Sequence, residues 1–148
     1  MQAANQAHIT VLFMKRTLKN SFGQTYLTIT YDEKNKLIHN YWQGMLSVEN
    51  VKQGATEVLE LMKITNCANL LNDNREITGS WNQANDWIET EWMPRALNLG
   101  LKQFAHVVSQ GVFGALSAQE MHRRVGDRFQ MRLFNDINDA KAWLKGNP

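Results

Sequence analysis

A single cysteine, Cys67, stands in a chain of 148 residues, so no internal disulfide can form. A reducing, cytoplasmic compartment is the expectation that follows. No apolar run approaches 18 residues, which excludes a helical membrane span on sequence grounds. The stretch Ile9 to Met14 is short and is followed, not preceded, by Lys15 and Arg16, so a signal peptide is not expected. Met14 is a candidate start, with residues 1–13 as an upstream extension.

The motifs of common chemistries are missing too. There is no Gly-x-Gly-x-x-Gly, no Walker A pattern and no Gly-x-Ser-x-Gly elbow. Gly111-Val112-Phe113-Gly114 lacks the Lys and Ser/Thr that a phosphate cradle needs. His8, His39, His106 and His122 show no metal spacing, and a zinc set has no second cysteine to draw on. No catalytic residue, metal or cofactor is therefore expected, and the expected class is not an enzyme. Cys67 reads as a core thiol, His106 as a packed histidine within a strand, and His122, beside Arg123 and Arg124, as part of a solvated face. Asp86, Glu89 and Glu91 fall on the polar side of their helix.

Charge is balanced, at +2 from 16 basic and 14 acidic residues. Lys15, Arg16 and Lys19 give residues 1–24 a charge of +3, leaving −1 for the rest. Such a thin basic footprint argues against nucleic acid as a partner. The 43% hydrophobic content suits a soluble globule, and the length suits one domain with a core of its own.

Residues 25–31 alternate Leu27, Ile29 and Tyr31 with threonines, a period of two. With residues 37–43 they read as a β-hairpin ending at Gly44. Ser47 reads as the N-cap of an amphipathic helix over 48–64. Cys67 to Leu71 reads as a buried strand closed by Asn72 and Asp73, and 74–80 as a polar loop. A helix over 81–93 is expected to break at Pro94 and resume as a short turn before Gly100. Phe104 to Val108 reads as a strand. Ser117-Ala118-Gln119-Glu120 reads as a capping box that starts a helix to about Asp127. Met131 to Phe134 completes the strands, and Asp136 caps a last helix ended by Gly146. The order is β-β-α-β-α-β-α-β-α, an α/β domain over 21–148 behind a partly disordered arm at 1–20. Parallel βαβ units should follow the hairpin.

Five tryptophans are the unusual content. Trp87 and Trp92 share a face with Ile88 and are expected to be structural, whereas Trp81, six residues before Trp87, sits off that direction. The loop before it could serve an anion or a phosphoryl group through Thr78 or Ser80 at a helix N-terminus. Thr78, Ser80 and Trp81 are thus the candidate ligand or interface residues.

Between Tyr26 and Leu144 the chain resembles the SpoIIAA-like proteins, bacterial domains of STAS fold that are compared with the CRAL-TRIO lipid-transfer domain. The resemblance rests on Tyr31-Asp32-Glu33 and Trp42-Gln43-Gly44 around the hairpin turn, Trp87-Ile88, Trp92-Met93-Pro94, Gly100-Leu101-Lys102 before Phe104-Ala105, and Phe134-Asn135-Asp136 before Ala140 and Trp143-Leu144. It implies a mixed sheet of four or five strands with about four helices, mainly on one side. The Asp-Ser pair that carries the phosphoryl group in the anti-sigma-factor antagonists has no counterpart, since Asn74 follows Asp73. The resemblance implies a non-enzymatic module for protein interaction or signalling, with an unidentified protein or a second copy of the chain as partner. The alternative is a binder of a small apolar ligand or lipid, in a pocket between sheet and helices.

Overall fold

The structure is a computed structural model that describes residues 14–146. The expectations for residues 1–13 lie outside that range. Six strands form one mixed sheet in the order of the sequence: β1 (Lys15–Lys19), β2 (Thr25–Asp32), β3 (Leu37–Gly44), β4 (Asn69–Ile77), β5 (Gln103–Val107) and β6 (Gln130–Phe134). β1, β2 and β3 run as an antiparallel meander, and β3 to β6 are parallel. The parallel strands are joined through helices α1 (Val48–Thr65), α2 (residues 82–98) and α3 (Val112–Val125), and α4 (Ile137–Leu144) follows β6.

The α/β class, the hairpin, the helix α1 and the parallel units stand as the sequence predicts. The sheet has one strand more than expected. Lys15–Lys19, read as part of an arm reaching to residue 20, is an edge strand. Its turn is held by Asn20, whose Oδ1 accepts from the Phe22 and Gln24 amides, and by Gly23 at φ 79°. Arg16 pairs with Glu57 of α1, and Leu18 packs on the core, while Lys15, Thr17 and Lys19 face out. Exposed lysines on an edge strand discourage pairing with another sheet.

Three further boundaries differ. β4 runs on through Asn74 to Ile77, where a polar loop was expected, because a bulge opposite Tyr41–Gln43 keeps it paired with β3. Polar composition misleads here: a strand buried in the middle of a sheet can carry asparagines if they bond to one another. α3 begins at Val112 with Gly111 as N-cap, so Ser117 lies inside the helix and bonds back to the Phe113 carbonyl at 2.9 Å instead of capping. Finally, α2 does not break at Pro94. It passes from a 3-10 turn (Asn82–Ala84) and one α turn (Asn85–Trp87) through a π segment (Ile88–Trp92) into a last α segment (Met93–Asn98). The Met93 amide donates to the Ile88 carbonyl, five residues back. Pro94, having no N–H, sits where the wider turn ends and forfeits little.

The core is split by the sheet. α1, α2 and α3 cover one face in a large cluster that includes Leu27, Ile29, Leu70, Trp92, Phe104 and Met121. α4 covers the other, packing Ala140 and Leu144 on Leu37, Leu71, Ala105 and Val107. Gly54 lets α1 approach: a Cβ there would lie 2.6 Å from the Trp42 ring and 2.7 Å from Leu27. Ser47 caps α1 in a box with Asn50, the two residues exchanging bonds of 3.0 and 3.1 Å.

Candidate functional site

Period two places Ile38, Asn40 and Trp42 of β3 on the helix-covered face, and beside them Leu70, Asn72 and Asn74 of β4 and Phe104 and His106 of β5. Asn40, Asn72 and His106 are register partners across the three central strands, so they form one polar row on a face that is otherwise apolar. Asn40 is 1% exposed and His106 wholly buried.

Hydrogen bonds fix the row's polarity. The Trp42 Nε1–H can only donate, and it bonds the Asn72 Oδ1 at 2.8 Å. The Asn72 Nδ2 therefore faces the other way, donating to the Asn74 Oδ1 at 3.2 Å and to the His106 Nδ1 at 3.1 Å. His106 accepts at Nδ1, so its proton sits on Nε2. Burial pushes its pKa down to about 4, only partly offset by the negative charge of Asp73, and the ring is neutral at pH 7. It packs between the rings of Phe104 (6.2 Å between centroids) and Trp81 (5.9 Å).

Above the row lies a cavity of about 50 Å³ between the sheet and the helices. Its polar floor is Asn40, Asn72 and Asn74, and its aromatic walls are Trp42, Trp81, Trp92 and Phe104. Leu46, Val51 and Trp81 also line a cleft of about 200 Å³ at the surface, alongside Ser47, Ser80 and Gln83. These three shared residues stand between the interior and solvent. Among the described residues, no Lys, Arg, Asp or Glu side chain lines either space.

Trp81 is held by its backbone. Its N–H donates to the Ser117 Oγ at 3.2 Å, and the Ser117 hydroxyl gives its own proton to the Phe113 carbonyl. Ser80, 3.2 Å from that oxygen, is left to donate to it, and Ser80 in turn accepts from the Asn82 amide at 3.1 Å. The structure thus brings Ser80 and Trp81 together at the opening of the cavity. Thr78 is not part of it: its amide donates to the Gly44 carbonyl at 3.0 Å, and its side chain is exposed. The helix expected to present a free N-terminus to an anion there starts with a three-residue 3-10 turn at Asn82.

The expectation for Trp87 and Trp92 holds in part. Trp87 is half-buried and packs against the rim of the main core, whereas Trp92 is 3% exposed and donates from Nε1 to the Ala55 carbonyl at 2.9 Å. The widened π turn directs Ile88 and Trp92 inward, and both reach the cavity.

On the opposite face, Asp73 is fully buried and accepts from Arg75 at 2.8 and 2.9 Å, with His39 Nε2 3.0 Å away. Desolvation alone would raise its pKa, but the bonds from His39 and Arg75 outweigh it, and the carboxyl lies well below the usual range. Cys67 is buried, with Sγ 3.4 Å from the Lys36 and Asn69 carbonyls, and burial pushes its thiol up. Such a thiol is a poor nucleophile. Asp86 and Glu89 reach across to Arg124 of α3 at 2.7 and 3.4 Å, tying two helices together. Among the described residues, no cluster of three or more His, Cys, Asp or Glu could hold a metal ion, and no helix is long and apolar enough to cross a membrane.

His106 is packed within its strand as the sequence predicts, but the sequence does not reveal that it joins Asn40, Asn72, Asn74 and Trp42 in one row. Their signal was present as polar residues at inward positions of three strands, which becomes meaningful once the strands' register is known. No family model, curated protein or solved structure matches the chain.

Proposed function

We propose that the protein is a non-enzymatic binder of a small, largely apolar ligand held between the sheet and the helices. The observation that carries this reading is the aromatic-walled cavity with a polar floor, which adjoins a surface cleft across Leu46, Val51 and Trp81. Convergent polar groups in an apolar pocket are the usual form of a ligand site. Both spaces are small beside the ~300–1,000 Å³ of drug-sized sites, so the ligand is a small molecule and not a lipid chain. The mixed sheet with three of its four helices on one face supports a STAS-like affinity, which stays part of the proposal. The test is ligand-observed NMR with 1-chlorobutane, an uncharged apolar probe. The parent protein is expected to bind it saturably. Ala55→Leu, which fills the cavity wall, should abolish binding while keeping the fold. Equal binding by both proteins would place the probe elsewhere and defeat the proposal.

A second reading, a module for protein contact or self-association, is favoured by a different feature. Val112, Phe113 and Leu116 of α3 are 69%, 67% and 53% exposed on one side of the helix. Sedimentation of the parent and of Phe113→Ser over a range of concentrations tests it: an assembly lost in the variant supports it, and a monomer throughout does not.

A further inference from the structure

Among the described residues, five buried side-chain polar atoms have no hydrogen-bond partner in the protein, and four of them crowd this site. They are the Asn40 Oδ1, the Trp81 Nε1–H, the His106 Nε2–H and the Asn85 Oδ1. Asn40 and Trp81 line the cavity. His106 lies under Trp81, and Asn85 is pinned beside it, its Nδ2 donating to the Asn82 Oδ1 at 3.0 Å and the Ser117 carbonyl at 3.1 Å. The set contains two donors and two acceptors. A buried polar atom without a partner is costly, so a cluster of mixed sign points to a guest that can both give and take a hydrogen bond.

Charge is excluded by the same surroundings. Among the described residues, no Lys, Arg, Asp or Glu side chain lines the cavity over the row, and Asp73 belongs to the opposite face. A carboxylate would find no cation among the described residues of the lining. An ammonium group would meet the Trp81 N–H and, among the described residues, find no anion in the lining. Either ion would be desolvated without compensation.

We propose that the cavity selects an uncharged head group that donates to the Asn40 Oδ1 and accepts from the Trp81 Nε1–H, that is, a short-chain alcohol or primary amide. Its apolar part runs out past Leu46 and Val51 toward the surface cleft. This inference rests on the ligand-binding reading above and adds the chemistry of the head.

The test measures dissociation constants of the full chain for 1-butanol, butyramide, butyrate, butylammonium and 1-chlorobutane by NMR titration at pH 7. Butanol and butyramide are expected to bind at least about tenfold more tightly than the two ions and than 1-chlorobutane, the scale of one buried hydrogen bond. Trp81→Phe keeps the ring and removes the donor, and Asn40→Leu removes the acceptor. Each should erase the alcohol preference, read as the ratio of the dissociation constants for 1-chlorobutane and 1-butanol within the same variant. If 1-chlorobutane binds as tightly as butanol, the head-group proposal falls while the apolar site stands. Preference for either ion overturns it as well. If no probe binds, both the proposal and the ligand-binding reading fail.

Discussion

The Trp42 Nε1–H and the Asn72 Oδ1, 2.8 Å apart, decide the protonation pattern of the whole polar row. Because the indole can only donate, the Asn72 amide has one orientation, and the His106 Nδ1 must accept. The ring packed against Trp81 is therefore the Nε2–H tautomer of a histidine that has lost its water and gained no counter-ion. A side chain in that position is neutral by necessity, and its cost appears when the solution turns acidic.

Acid should weaken the fold in a defined window. His106 titrates near 4 in the folded protein because burial disfavours its charge, against an ordinary value of 6.5 when unfolded. As pH falls from 6.5 to 4, the unfolded chain takes up the proton and the folded one does not, so stability declines. The loss amounts to about 3 kcal/mol and levels off below pH 4, where both states are protonated. Asp73, held low by His39 and Arg75 against the opposing effect of burial, adds a separate loss only below its ordinary 3.8. Urea titrations between pH 4 and 7 should show this decline in the parent and a flatter profile in His106→Gln. Identical profiles would mean that His106 is hydrated or paired.

The helix packing makes a prediction that runs against helix propensity. Alanine is a better helix former than glycine by about 1 kcal/mol. Gly54→Ala should nevertheless destabilise the protein by about 1–3 kcal/mol, since its Cβ would strike the buried Trp42 ring and Leu27. Denaturation midpoints decide it; a gain in stability would show that α1 can lift from the sheet at no cost.

The two tryptophans that share α2 should separate sharply. Trp92 is buried, meets Phe104 edge-on at 6.0 Å and bonds the Ala55 carbonyl, so Trp92→Ala should cost about 3–5 kcal/mol. Trp87 is half-buried on the outer side, and Trp87→Ala should cost nearer 1 kcal/mol. Equal losses in chemical denaturation would contradict the π turn that distinguishes them.

The parts of the fold legible in the sequence were those whose pattern is local. Leu27, Ile29 and Tyr31 announce a strand through period two, and Ser47 with Val48, Val51 and Ala55 announces a helix, because neighbours in the chain carry the whole signal. β1 was missed because Arg16 and Leu18 give it only two inward residues, one of them charged, and its stability comes from β2 and Glu57. The continuation of β4 was missed for a related reason. Asn72 and Asn74 look like strand terminators until Trp42 and His106, far away in sequence, supply their partners. The angular offset on an ideal helix sets Trp81 apart from the core-facing direction; it borders the cavity, but it is also buried in the same core cluster as Trp92, because the real segment starts with a 3-10 turn. The polar row depends on register among three strands, which is set by tertiary packing, so the inward polar residue of each strand carries no meaning on its own.

The space bordered by Trp81 is proposed as a binding site and not a packing gap. The five indole N–H signals of the 15N-labelled protein, followed during titration with 1-butanol, test it most directly. A saturable shift of the Trp81 signal is expected as its unpartnered Nε1–H gains an acceptor, while Trp87 and Trp143 stay in place. No shift at Trp81, or a shift of all five that grows linearly with alcohol, would contradict it.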